Sequence, residues 1–334
     1  MDSSSSFFVS FLATLMVFSV IYGKPIVPAL IIFGDSVVDV GNNNNLLTLI
    51  KADFPPYGRD FVTHRPTGRF CNGKLAIDFT AEYLGFTSYP LAYLSKEARG
   101  KNLLTGVNFA SAGSGYYDAT SLLYHAISLT QQVNYYKEYQ KKVVDMVGKA
   151  KANTIISGSI HLLSAGSSDF VQNYYIDPLL NLAYSPNQFS CILMRSYTNF
   201  IQSLYGLGAR KIGVTTLSPI GCLPAAITLF GFGRNQCVAR FNQDAISFNN
   251  MLRRTSQILQ NRLPGLQLVV FDIYKPLLNL VTNPADNGFL EPRKGCCGTG
   301  TLETSMLCNA ISVGTCSNAT EYVFWDGFHP SEAA

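Results

Sequence analysis

Charge is scarce in this chain: Asp, Glu, Lys and Arg make up 14% of its 334 residues, against roughly 25% in ordinary soluble proteins. With 47% hydrophobic residues beside them, that scarcity excludes a disordered chain and points to a large buried core. Basic residues number 25 and acidic ones 21, a net charge of +4. No long run carries one sign, which excludes a nucleic-acid tract and an acidic tail. Long apolar stretches are also missing, except near the start. There Phe7 to Tyr22 is apolar but for Ser and Thr, shorter than the ~20 residues of a comfortable membrane span. Its place identifies residues 1–24 as a secretory signal peptide, although no Lys or Arg precedes it. The mature chain, 25–334, is therefore expected to be secreted and extracellular, with no stable membrane anchor after cleavage.

Several chemistries lack their motifs. No Ser stands in G-x-S-x-G, so a nucleophile elbow is absent. The four His, at 64, 125, 161 and 329, form no H-E-x-x-H, and the eight Cys contain no C-x-x-C pair, so no metal site is expected. Gly68 to Lys74 matches a phosphate-binding loop except in its last place, where Leu75 replaces Ser or Thr and no strand precedes it; it is read as coincidence. The cysteines suit an oxidising compartment. Adjacent Cys296 and Cys297 are expected to reach Cys308 and Cys316, in either pairing, and Cys222 to reach Cys237. Asn318-Ala319-Thr320 is a sequon for an N-glycan on a secreted chain.

What is present alternates. Short β-branched runs at Leu30 to Phe33, Gly106 to Phe109, Ile160 to Ala165, Lys211 to Thr216 and Leu268 to Asp272 predict five strands. Helical spacing between them covers Thr130 to Val147, Ser190 to Leu207 and Val238 to Leu263, the last ended by Pro264-Gly265. This is the pattern of an α/β fold with a parallel sheet. No repeat or Pro-rich linker divides it, so one domain is expected. Two long polar segments, Gly41 to Gly73 and Asn283 to Cys316, are rich in turn residues and should cross the strand ends, where such sheets bind ligands.

Chemistry gathers at the two ends of the folded chain. The first strand runs into Gly34-Asp35-Ser36, and Asp326-Gly327-Phe328-His329-Pro330 stands near the other end. A serine hydroxyl attacks only when a base takes its proton, and that base needs a carboxylate to hold its tautomer. Asp326 and His329, three apart, can face the same side of one turn, leaving the other imidazole nitrogen for Ser36.

Phe33 to Asn44 and Asp326 to Pro330, with Gly106 to Gly115, Gly166-Ser167-Ser168-Asp169-Phe170 and Pro219 to Pro224 between them, resemble the ordered blocks of plant-type GDSL esterases/lipases of the SGNH hydrolase superfamily. The likeness spans nearly the whole mature chain. It implies a three-layer α/β/α, flavodoxin-like fold with a five-stranded parallel sheet in order 2-1-3-4-5. It also implies Ser36 as nucleophile, His329 as base and Asp326 as orienting acid, with an oxyanion hole formed at Ser36, Gly113 and Ser168. Gly115 competes with Gly113. The family places Asn where this chain has Ser168, and a hydroxyl is shorter with one donor. The family also continues past the His-Pro block into a covering helix, whereas Ser331 to Ala334 resembles only that helix's opening. A truncated C-terminal helix, or a frayed terminus around His329, is expected on that comparison.

Elsewhere the residues read as structural. His161 is expected to be a buried, satisfied sheet residue, Tyr135, Tyr136 and Tyr139 a packing face, Asp169 a loop tie, and Asp39 and Asn42 ties for the turn after Ser36. The function that follows is a secreted serine esterase/lipase acting on an acyl ester or lipid through an acyl-enzyme, with no cofactor or metal. An acyltransferase has the same triad, and an extracellular binding protein using the same cleft is the non-enzyme alternative.

Overall fold

A computed structural model describes residues 24–334; apart from Lys24, the expected signal segment lies outside the described residues. In chain order the strands and helices are β1 (Leu30–Gly34), α1 (Ala76–Tyr83), α2 (Asp118–Leu123), α3 (Leu129–Val147), α4 (Lys149–Gly158), β2 (Ile160–Ser164), α5 (Pro178–Ala183), α6 (Pro186–Gly206), β3 (Lys211–Thr215), α7 (Pro224–Phe230), α8 (Ala239–Arg262), β4 (Gln267–Phe271), α9 (Tyr274–Thr282), β5 (Glu291–Gly295) and β6 (Tyr322–Phe324).

Strands β1 to β4 form a parallel sheet in that order. Every residue of β1 is buried, as a strand covered on both faces must be, and its alternate side chains feed two cores. Ile31 and Phe33 join Tyr136 of α3, Phe200 of α6 and Phe248 of α8 on one face. Leu30 and Ile32 join Val38, Val40 and Ile77 of α1 on the other. This is a three-layer α/β/α arrangement.

The sheet differs from expectation at one edge. The segment Gly106 to Phe109 does lie beside β1, where Ile32 N donates to Val107 O at 3.2 Å and Phe109 N to Ile32 O at 2.7 Å. It makes isolated bridges through Asn108 rather than a strand, so the ladder has four strands, not five. The reason is local. Asn108 is buried and spends its side chain on Val38 O and Ala110 N, while its own backbone turns to Leu91 and Tyr93. The place beside β1 is filled by backbone tied to a neighbouring loop.

A small parallel pair, β5 and β6, lies apart from the main sheet and was not signalled by the sequence. It sits under the stapled segment, in which Cys296 pairs with Cys316 and Cys297 with Cys308; a third disulfide joins Cys222 and Cys237. Cys71 and Cys191 are free. The stapled cluster packs Cys296, Cys297 and Cys308 against Tyr57, Phe70 and Trp325, directly beneath Asp326. No helix among the described residues is long and apolar enough to cross a membrane.

Candidate active site

Ser36 stands two residues past the end of β1 because Gly34 allows a sharp exit. Gly34 has φ +140°, and a Cβ there would collide with the Ser164 carbonyl of β2; only glycine fits. Gln132 of α3 then holds the strand end on both sides, accepting from Gly34 N at 2.9 Å and donating to Gly34 O at 2.9 Å. The turn that follows is fixed by Asp39, which accepts from the backbone N–H of Gly41, Asn42 and Ala112. Asn42 donates to the carbonyls of Asn108 and Ala110. The sequence expectation for these two residues describes what they do.

The fold brings the two chain ends together. His329 Nε2 lies 2.8 Å from Ser36 Oγ, and His329 Nδ1 lies 2.8 and 2.9 Å from the two Asp326 oxygens. With Nδ1–H donating to the carboxylate, Nε2 is left to accept from the Ser36 hydroxyl. Asp326 is fully occupied: Phe328 N and His329 N donate to Oδ1, Tyr57 Oη and Thr304 Oγ1 to Oδ2. All of its acceptor positions being used, the carboxylate has one orientation available. Phe70 packs on the imidazole, ring centroids 5.1 Å apart.

The end of the chain is anchored rather than frayed. Trp325 N donates to His329 O, Ser331 N to Val323 O and Glu332 N to Asn72 Oδ1, so His329 is fixed on both sides.

Gly113 takes φ +83°, with the side chain of Tyr124 covering the place of its missing Cβ. Gly115 serves another purpose: a Cβ there would strike the Asp169 carboxylate. Asp169 ties two segments together, accepting from Tyr116 N at 2.7 Å, Tyr117 N at 3.2 Å and Thr120 Oγ1 at 2.7 Å. That clip holds the strand of backbone bearing Gly113 against the one bearing Ser168. Ser168 itself is buried at the start of the single π-helical turn Asp169–Tyr174, and its hydroxyl has no protein hydrogen-bond partner among the described residues.

Burial dominates the electrostatics. It pushes the carboxyl groups of Asp35 and Asp169 up to about 7 and that of Asp39 up to about 6, against the backbone N–H donors that favour their charge. Burial likewise pushes His161 down to about 4, so it is neutral beside Tyr136 Oη, 2.7 Å away. A carboxyl held above its unfolded value of about 3.9 gives stability that is complete below that value and is lost as pH rises through the folded one. Asp35→Asn, which never ionises, should therefore gain on the wild type by up to a few kcal/mol between pH 4 and 8. Urea unfolding at several pH values measures the gap, and a difference independent of pH would contradict it.

Two residues of the site escaped sequence reasoning. Tyr57 lies in Pro55-Pro56-Tyr57-Gly58 and was read only as turn chemistry; Thr304 lies in the stapled segment. The available signal was the set of large aromatics, Phe54, Tyr57, Phe61 and Phe70, in a segment otherwise marked by turn residues. Tyr57 is 1% exposed, and it also accepts from Ser305 N at 2.7 Å.

Sequence comparison finds a match to the family described as GDSL-like Lipase/Acylhydrolase across residues 30–334. The chain is 70% identical over 313 residues to the GDSL esterase/lipase At5g03810 of Arabidopsis thaliana, covering 93% of this chain and 89% of the relative. It is 67% identical to At5g03820 (97% and 94% covered) and 59% identical to the GDSL esterase/lipase APG (99% and 94% covered), both also of Arabidopsis thaliana.

Proposed function

The chain belongs to the GDSL-like lipase/acylhydrolase family and is a carboxylic-ester hydrolase, and from that premise we propose that it works as a secreted serine esterase through an acyl-enzyme on Ser36. The observation that carries this reading is the unbroken line from Asp326 through His329 to Ser36 Oγ, each step 2.8 Å. Ser36 Oγ attacks the ester carbonyl while its proton passes to His329 Nε2. His329 then gives that proton to the leaving alcohol oxygen, and the acyl group stays on Ser36. Water loses a proton to His329 as it attacks the acyl carbon, and His329 returns that proton to Ser36 Oγ as the acyl–oxygen bond breaks and the acid is released. Asp326 keeps the imidazole in the required tautomer and stabilises its charged form.

The negative oxygen of each tetrahedral intermediate would be met by the backbone N–H groups of Ser36 and Gly113 and by the Ser168 hydroxyl. The free Ser168 hydroxyl supports that role. Its reach is short, however, and Ser168→Asn should raise kcat on a short-chain p-nitrophenyl ester by about tenfold, less than the ~10²- to 10³-fold that a whole donor is worth because the hydroxyl already supplies part of it. A fall in kcat would contradict the assignment.

Three disulfides and the sequence of residues 1–24 support secretion. Asn318 is exposed and could accept a glycan in that compartment. Hydrolysis is separated from acyl transfer by product analysis with excess alcohol acceptor present. Free acid as the main product is expected; a transferred ester as the main product even at low acceptor would favour the transferase.

A further inference from the structure

We propose that the end of the sheet opposite Ser36 carries a basic surface that holds the protein on an extended, carboxylate-bearing polysaccharide. The strands are parallel and in register, so Leu30, Ile160, Lys211 and Gln267 begin them at one common end, and Ser36 stands beyond the other. Tyr93 to Thr105, Lys137 to Lys151 and Leu207 to Lys211 hold ten Lys or Arg and three Asp or Glu, a net charge of +7. The whole chain is only +4, so everything outside those segments sums to −3. No run of one sign announces this surface, because the fold assembles it from three segments.

Contacts bring those segments together at the strand starts. A Cβ on Gly106 would strike Leu30, so the turn Gly100–Thr105 lies against the beginning of β1. Helix α3 meets the far end of β1 through Gln132, and from there to Val147 it runs ~22 Å, past the ~17 Å of the strand. On the way Tyr139 Oη donates to Leu103 O at 2.9 Å and Gln140 Nε2 to Leu207 O at 2.7 Å. Lys211 Nζ donates to Gly158 O, at the end of α4, at 3.4 Å.

The cations are available. Lys96, Arg99 and Lys101 are exposed, as are Lys141, Lys149 and Lys151, and among the described residues none of them makes an ion pair. Of the acids, Glu138 accepts from Tyr93 Oη, to which Lys142 Nζ donates, which leaves Glu97 and Asp145 as the opposing charges within the segments. Ala81 of α1 lines a cleft with Glu97 and Asn102, and the Glu82 that follows it is paired with Lys74.

This chemistry selects the occupant. Eight of the ten cations are Lys, compact charges on flexible stems without the planar fork that grips a single phosphate or carboxylate. Spread over an open face, they suit many separated charges on a polymer rather than one small anion. A bilayer partner would call for apolar side chains among the cations, and of the large apolar residues in these segments only Met146 is exposed. An acidic polysaccharide is the polyanion that a secreted chain meets, a choice that rests on the proposed secretion. Bound at this end, the polymer leaves the Ser36 site facing away from it.

The test measures retention of the whole protein on immobilised polygalacturonate as salt is raised. The wild type should bind and be released by salt, the mark of charge pairing. Lys101→Gln, Lys141→Gln, Lys149→Gln and Lys151→Gln together should weaken binding by about tenfold or more. The same loss of charge through Arg195→Gln, Arg234→Gln, Lys275→Gln and Lys294→Gln, at exposed residues outside the surface, should weaken it by less than about threefold. Hydrolysis of dissolved p-nitrophenyl acetate should change by less than about twofold when soluble polygalacturonate is bound, since the ~17 Å of β1 exceeds the Debye length of ~8 Å. Equal weakening by the two sets would overturn the proposal by showing that net charge alone governs binding. So would a wild type that is not retained, inhibition by the polymer, or tighter binding to phosphatidylserine vesicles or single-stranded RNA than to polygalacturonate. Failure of secretion would show as protein kept inside the cell, and failure of the Ser36 assignment in the dissolved-ester assay; neither alters binding by the purified protein.

Discussion

Ser36→Ala is expected to lower kcat for a short-chain ester by about 10⁵- to 10⁶-fold while leaving KM and thermal stability nearly unchanged. The magnitude follows from the mechanism. The acyl-enzyme cannot form without the oxygen, so only a direct attack by unpositioned water on the ester remains, aided by the oxyanion donors. Each factor of ten corresponds to about 1.4 kcal/mol of transition-state stabilisation, so the loss amounts to about 7–8 kcal/mol. It cannot be an effect on folding, because Ser36 gives the structure one side-chain hydrogen bond, to His329. The contrast variant is Tyr57→Phe, which removes one of the five donors to Asp326 and leaves the others. Its loss should be closer to tenfold, the worth of one hydrogen bond to a charged group. Steady-state kinetics on both variants provide the check. A Ser36→Ala protein retaining a tenth of wild-type turnover would contradict the nucleophile.

The largest expected effect on stability lies at Arg69. Its Nε and one Nη reach the two oxygens of Asp78 at 2.8 Å each, with both side chains buried. Asp78 also accepts from Leu75 N at 2.8 Å and so starts α1. Arg69→Met would leave that carboxylate buried without its partner, and breaking such a pair costs about 3–5 kcal/mol. Adding Asp78→Asn removes the unpaired charge and keeps an acceptor for Leu75 N, so the double variant should recover much of the loss. Urea unfolding of the two proteins decides it; a single variant within about 1 kcal/mol of wild type would show that the pair contributes little. Arg69 belongs to the segment Gly68 to Lys74 that imitates a phosphate-binding loop. Its arginine is committed to Asp78 and to the face of Phe61, 4.8 Å away, which gives that segment a structural role.

The parts of this molecule that were legible in the sequence are those set by local pattern. Four strands and three long helices fall within a few residues of where periodicity predicted them, because each buries a regular face. Residue type and spacing grouped Ser36, Asp326 and His329, the family resemblance supplied their expected roles, and the structure brings all three within hydrogen-bond reach. The Cys222 to Cys237 pair was likewise legible, whereas the partners of Cys296 and Cys297 depended on how the loop folds.

What stayed hidden depends on contacts between distant segments. Gly106 to Phe109 has a strand's composition, yet Asn108 diverts it into bridges with two neighbours. Tyr57 and Thr304 lie 247 residues apart in sequence (304 − 57), and only the fold shows that they share one carboxylate oxygen. Of the short pair, β5 has no apolar run to announce it and β6 is only three residues long; disulfides and the Tyr57 cluster position it instead. His329 looked exposed to fraying because only five residues follow it, but Asn72 and Val323 capture the backbone beyond it.

The proposed reaction requires Ser36 to become covalently acylated under the control of His329. Brief treatment of the folded protein with a fluorophosphonate, followed by peptide mass mapping, tests it most directly. One adduct per chain is expected, on Ser36, formed quickly in the wild type and at least about a hundredfold more slowly in His329→Ala. An adduct on another residue, or labelling of Ser36 at the same rate in both proteins, would contradict it.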